Sequence, residues 1–210
     1  VTDRCNLRCF YCMPEEGLNF SKRSQILSYE EMIRLTTLLA NLGISKIRIT
    51  GGEPFVRKDL IPFMHQLSDV KGIEAVSITT NGTDLVRHIS DLKTMGIKSV
   101  NLSLDCLDKE RFFKITRRDE FEEVMTSYRA LIDSGIETKI NAVVMEEHNL
   151  DDILLMCELT KDDPVSVRFI EEMPFNGGSK GYTPIKWNVN KILEHIKGTY
   201  PELMKIDDGV

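Results

Sequence analysis

From Ile44 onward the chain alternates between two periodicities. SKIRIT (45–50), AVSITT (75–80), SVNLSLD (99–105), TKINAVV (138–144) and VSVRFIE (165–171) are short, apolar or β-branched runs that read as strands. Elsewhere apolar residues recur every three or four positions. The clearest case is 28–41, where Met32, Leu35, Leu39 and Leu42 mark one face of a helix. Ser28 with Glu31 forms a capping box, and Gly43 suits the C-terminal stop. Phe121, Val124, Tyr128, Leu131 and Ile132 mark a second helix, closed by Gly135; Leu150, Ile153, Leu154 and Cys157 mark a third. Weaker helical patterns cover 60–67 and 85–95, and another lies around 188–197.

Strands alternating with helices predict parallel β-α units. With a first strand at 1–3 there are six, which predicts an α/β fold: an incomplete TIM-type barrel of six β-α units around a parallel sheet. A full barrel of about 250 residues scales to ~190 for six units, close to the length up to residue 176. An open doubly wound sheet is the competing architecture. Both place ligands at the C-terminal ends of the strands. The expected division is a partial barrel over 1–176. Residues 177–210 are a glycine-rich loop, GGSKGYTP, and a helix, and read as the start of a truncated C-terminal region.

The 210 residues are 41% hydrophobic and 29% charged, enough for a sizeable core. A net charge of -6 argues against a nucleic-acid or anionic-membrane partner but leaves room for a small phosphorylated ligand. No apolar run approaches the roughly 18 residues that span a bilayer, and no signal peptide is visible. The chain opens on Val1 rather than Met, so a lost leading segment is expected. Of five cysteines, three crowd into the eight residues CNLRCFYC. That spacing is not a disulfide framework, and it suits a reducing, cytoplasmic setting with a metal centre.

Cys5, Cys9 and Cys12 follow the pattern C-x3-C-x2-C. Structural zinc sites are closed by four protein ligands, and a fourth is hard to find. His65, His88, His148 and His195 show no ligand spacing. Cys157 reads as core filler and Cys106 follows a strand end. A four-iron cluster fits better, because three thiolates leave one iron open for chemistry. A zinc-stabilised binding module without catalysis is the rival. Gly51-Gly52-Glu53-Pro54 follows the second strand, either as a plain turn or as a place where a ligand meets backbone. Arg48 and Lys139 sit within strands, where unpaired charge is poorly tolerated, and with Thr79 they suggest an anion site.

CNLRCFYC resembles the signature of the radical S-adenosylmethionine (SAM) superfamily. MPEEG after the third cysteine, KIRITGGEPFVRKDL, ITTNG, VNLSLD, KINAVV and VRFIEEMP are similar, in order over 2–174, to the GTP 3′,8-cyclase family of molybdenum cofactor biosynthesis. The resemblance implies a lyase with one [4Fe-4S] cluster on Cys5, Cys9 and Cys12. It implies SAM contacts at Tyr11, Gly52, Ser103 and Met173, with Glu53 in support. It implies GTP contacts at Arg48, Thr79 and Lys139, with Arg168 similar. In that family a 5′-deoxyadenosyl radical removes hydrogen from the ribose C3′ of GTP, leading to a 3′,8-cyclised nucleotide. No side-chain acid, base or nucleophile is implied for the abstraction. An electron donor of flavodoxin or ferredoxin type and a homodimer are the further partners. The family's second three-cysteine cluster and an upstream arginine have no counterpart among these residues. The chain is therefore expected to be a fragment that holds one cluster and SAM and turns GTP over poorly. A radical SAM enzyme of another substrate class, a peptide maturase or an activase, is the neighbouring alternative.

Overall fold

The structure, a computed structural model, describes residues 1–13, 18–173 and 186–206. Five strands form one parallel sheet in sequential order: β1 (Lys46–Ile49), β2 (Ala75–Thr80), β3 (Ser99–Ser103), β4 (Glu137–Val144) and β5 (Val165–Glu171). An order that never reverses is that of an opening barrel, since a doubly wound sheet turns back on itself at a switch point. The sixth strand expected at 1–3 does not form. That segment runs beside the loop after β1, with Gly52 N–H donating to Thr2 (2.6 Å) and Glu53 N–H to Arg4 (2.8 Å). The Val1 amino group also donates to the Thr50 carbonyl (2.6 Å), but all three bonds fall beyond the last residue of β1 and make no ladder, so the sheet has five strands and stays open.

The helices are α1 (Tyr29–Asn41), α2 (Leu60–Ser68), α3 (Ile89–Thr94), α4 (Lys109–Thr116), α5 (Phe121–Ser134), α6 (Leu150–Asp162) and α7 (Val189–Thr199). The capping box of α1 forms as read: Glu31 N–H donates to Ser28 Oγ, and Ser28 N–H to Glu31 Oε2. Ser28→Ala is expected to cost about 1 kcal/mol, read as a lower urea midpoint with unchanged slope. Gly43 and Gly135 take the left-handed backbone that ends α1 and α5. In α6 the buried stripe is Asp152, Ile153 and Met156, so Cys157 lies half-buried at its edge rather than in the core.

The helix α4 was not legible from periodicity. Its N-cap, Asp108, accepts from Arg111 N–H, and it buries Phe112 and Ile115. α7 packs on α6, with Ile192 buried against Val144 and Ile153. The glycine-rich loop of 177–184 and the MPEEG residues 14–17 lie outside the described residues. Among the described residues no helix is long and apolar enough to cross a membrane.

The two faces of the sheet differ. Val76, Ile78, Val100, Leu102, Ile140 and Ala142 point to the helical layer and form the core with Phe63, Leu67, Leu92 and Tyr128. The alternate residues are mostly polar, with Ala75, Val143 and Ile170 the exceptions. Parallel sheets covered on both faces read as continuous apolar runs; this one is covered on one face, and the other lines the inside of the partial barrel.

Candidate active site

The cysteine loop is held by its backbone. A helix leaves its last carbonyls without intrahelical partners, and those of α4 accept from this loop: Phe10 N–H donates to Ile115 (3.1 Å) and Arg8 N–H to Thr116 (2.9 Å). Leu7 and Met13, at either end, are buried. The N–H groups of Cys12 and Met13 both turn back onto the Cys9 carbonyl. Cys5, Cys9 and Cys12 are free thiols that open into one cavity of about 190 Å³ at the C-terminal ends of β1, β2 and β3.

Burial pushes the Cys9 thiol up to about 12, helped by the negative charge of Asp105 and Cys5. Burial also raises Cys5. Thiols this reluctant to ionise become thiolates only against a cation. Among the described residues, no three His, Cys, Asp or Glu side chains are grouped as single-ion ligands. A four-iron cube places each thiolate on its own iron, which spreads the sulfurs wider than the ligands of one ion. Three thiols lining one cavity match the cysteine donors such a cube takes.

Tyr11 lines the cavity, and its hydroxyl donates to Asp105 Oδ2 (2.7 Å). Asp105 is buried, which raises its carboxyl to about 6 against the lowering hydrogen bonds of Val143 N–H and Tyr11. With its hydroxyl occupied, Tyr11 offers a ligand its ring and backbone.

Gly51 and Gly52 owe their lack of side chains to the chain's own backbone. A Cβ at Gly52 would stand 2.2 Å from the Arg4 carbonyl oxygen, and one at Gly51 2.3 Å from that of Thr2. Close approach is the requirement the sequence suggested, but the approaching group is the segment leading to Cys5. Both glycines also line the cavity.

Glu53 is 1% exposed, and its carboxylate is engaged within the chain. It accepts from Phe55 N–H (3.2 Å), the Thr80 hydroxyl (2.7 Å) and Asn81 N–H (2.7 Å). It ties the loop after β1 to the end of β2 and forms part of the cavity lining. Asn81 continues the chain of contacts, donating to Asn6 Oδ1 (2.8 Å) and lying 3.8 Å from Cys5 Sγ.

Register places the polar side chains in rows. Arg48, Ser77, Ser99 and Glu137 form one row; Thr79, Asn101, Lys139 and Ser166 the next; Ser103, Asn141 and Arg168 a third. Arg48, Thr79 and Lys139 thus share a face in two adjacent rows. Thr79 and Ser103 also line the cavity. The Lys139 ammonium lies 2.6 Å from Glu137 Oε1, so an anion there would share it. Arg48 makes no ion pair among the described residues. Met173 is 77% exposed and lies away from the cavity lining. The cavity therefore gathers Cys5, Cys9, Cys12, Tyr11, Gly52, Thr79 and Ser103; Arg48, exposed, and Lys139, half-buried, stand on the polar face outside its lining. Sequence reading missed Asp105, Asn81 and Asn101. Asp105 follows the apolar end of β3 and Asn101 interrupts its apolar residues, which was the available signal for those two; Asn81 lies in the polar run TTNGT and gave none.

A partial barrel with three thiols and a glycine turn at one strand-end cavity is the arrangement of a radical SAM domain. Residues 1–160 match the radical SAM superfamily, and the chain belongs to it. Membership implies SAM and a [4Fe-4S] cluster. Among relatives, the GTP 3′,8-cyclase of Heliobacterium modesticaldum is 45% identical over 183 residues, covering 87% of this chain and 56% of that protein. The mitochondrial GTP 3′,8-cyclase of Arabidopsis thaliana is 41% identical over 215 residues, covering 99% and 53%. Among solved structures, anSMEcpe with bound AdoMet matches with a TM-score of 0.71, covering 96% of this chain and 58% of that one. At 21% identity that likeness shows the fold alone. The chain spans about half the length of the two cyclases.

Proposed function

We propose that this chain is the radical SAM part of a GTP 3′,8-cyclase acting in molybdenum cofactor biosynthesis. One observation carries the reading: the cysteine loop and the glycine turn line one cavity with Thr79 and Ser103, and Arg48 and Lys139 stand on the same face of the sheet as those two. Relatives of that name at 41% and 45% identity support it. In this reading Cys5, Cys9 and Cys12 hold one cluster, and Gly52, Tyr11, Ser103 and Met173 meet SAM, Met173 from outside the cavity lining. Bound there, cluster and SAM supply a one-electron cleavage of the sulfonium and a primary carbon radical. The chain's own residues bind, orient and keep water out. Asp105 fixes Tyr11, the helix end at Ile115–Thr116 fixes the loop, and Arg48, Thr79 and Lys139 grip the triphosphate, with Arg168 beside them. No acid, base or nucleophile is assigned.

A second cluster belongs, in this reading, to the further length of the relatives. So does the division at residue 176, with α7 opening the C-terminal region. An electron donor of flavodoxin or ferredoxin type, a homodimer and a cytoplasmic, reducing setting complete the proposal.

The test is anaerobic reconstitution with iron and sulfide, then SAM, dithionite and GTP deuterated at C3′. Deuterium in the 5′-deoxyadenosine formed supports the reading; unlabelled 5′-deoxyadenosine rejects GTP as the hydrogen donor. Arg48→Ala is expected to weaken GTP binding by about 10- to 150-fold, the equivalent of ~1.5–3 kcal/mol for one charged hydrogen bond. Calorimetry should find SAM binding unchanged.

A further inference from the structure

The polar face holds two groups that none of these contacts uses. Asn101 stands on β3 in register with Thr79 on one side and Lys139 on the other. Side chains two apart on a strand share a face, so it points as Ser103 does, one step deeper than the cavity wall. Asn101 is 3% exposed, yet its Oδ1 has no hydrogen-bond partner among the described residues. Asn141 lies diagonally across, opposite Ser103, and its buried Oδ1 is also without a donor.

Buried amides almost always find partners, and an orphan is destabilising. In the orientation the structure gives, the buried unpaired end of both amides is the oxygen, an acceptor; half a turn would bury the NH2 and call for an acceptor in its place. Two neighbouring amides in this state, on the one face without helices, call for hydrogen-bond donors from outside the chain. Phosphate oxygens at neutral pH accept and cannot serve; Arg48 and Lys139 supply what they need. In a nucleoside triphosphate the donors are the ribose hydroxyls and the purine N–H groups.

We propose that Asn101 and Asn141 form a paired-amide subsite that accepts hydrogen bonds from the nucleoside half of the substrate. This rests on the nucleotide reading of the same lumen.

Isothermal titration of the reconstituted chain tests it, with GTP, 2′-deoxyGTP, 3′-deoxyGTP, inosine triphosphate, inorganic tripolyphosphate and SAM. The variants are Asn101→Leu, close in shape, and Asn101→Ala. Asn101→Leu should melt no lower than the parent, because an unpaired amide has gone. GTP binding should weaken about 5- to 10-fold, the factor for one neutral hydrogen bond. Tripolyphosphate and SAM should bind as before. One analogue should already bind the parent more weakly by that factor, and the variant should not distinguish it from GTP; that analogue names the donor. Equal GTP affinity in variant and parent overturns the subsite. So does a parallel loss of tripolyphosphate, a loss of SAM in place of GTP, or a variant that still discriminates against every analogue in full. A parent chain that binds no GTP is a different result: it overturns the nucleotide reading, and the subsite with it.

Discussion

Replacing Cys9 by serine is expected to abolish iron binding. After anaerobic reconstitution the parent chain should be brown and carry about four irons; the variant should be colourless and near zero, and Cys5→Ser and Cys12→Ser should behave alike. The expectation follows from the loop's construction. Its N–H groups are fixed on the carbonyl ends of α4 and its flanking apolar side chains are buried, so the three cysteines are presented to one cavity. Removing one leaves two irons of a cube without protein ligands, and burial disfavours the thiolate at Cys5 and Cys9 where they remain. The fold should survive, because the loop's anchors, Leu7 and Met13, are not the ligands. Circular dichroism of the variant should match the parent's. Serine variants that retain colour and iron, or a parent that binds one zinc and no iron, would remove the basis for every cofactor statement made above.

How much of this was legible in the sequence depends on the range of the interaction concerned. Strand runs are local patterns, and all five strands appear within a few residues of where β-branching and alternation put them. The capping box at Ser28 and the glycine stop at Gly135 are likewise local, and both form. The sixth strand failed because three residues at the chain's start have no downstream ladder partner; they meet a loop, not an edge. α4 was missed because eight residues are barely two turns, and KERFFKIT puts two phenylalanines side by side, one buried and one exposed. The cysteines and glycines of the site are short-range signatures and were read directly. The supports were not. Asp105 reaches Tyr11 from 94 residues away and Glu53 reaches Asn81 from 28, and no spacing rule announces such partners. Lys139 was read as an anion ligand from its place within a strand; that its ammonium already faces Glu137 depends on which two side chains share a pleat. The pattern would have allowed that inference, since they are two apart on one strand.

Glu53→Ala is expected to lose the cluster without touching a ligand to it. The carboxylate is buried and takes three hydrogen bonds, from Phe55 N–H, the Thr80 hydroxyl and Asn81 N–H. Removing it strands all three donors where water does not easily reach. Each hydrogen bond to a charged group is worth about 1.5–3 kcal/mol, so a total loss above ~3 kcal/mol is expected even after partial relaxation. Glutamine is no remedy. It replaces one oxygen by a donor, and that donor must face Asn81 N–H on one side or Phe55 N–H on the other; the Thr80 hydroxyl is already committed to accepting from Gly82 N–H. Glu53→Gln should therefore fall close to Glu53→Ala. The damage then travels along covalent and hydrogen-bonded neighbours. Asn81 loses the anchor that aims its amide at Asn6 and Cys5, and Gly52, next to Glu53, loosens its bond to Thr2 beneath the same segment. Two measurements separate this from simple destabilisation. Urea unfolding of the cluster-free protein should show the lower midpoint. At temperatures where the variant remains folded, iron content after gel filtration should still fall well below the parent's. A core variant destabilised to the same extent, Leu131→Ala in the buried face of α5, should keep its iron under those conditions. If Glu53→Ala retains iron as fully as Leu131→Ala does, the carboxylate holds the fold alone and its link to the cysteine loop is not a working one.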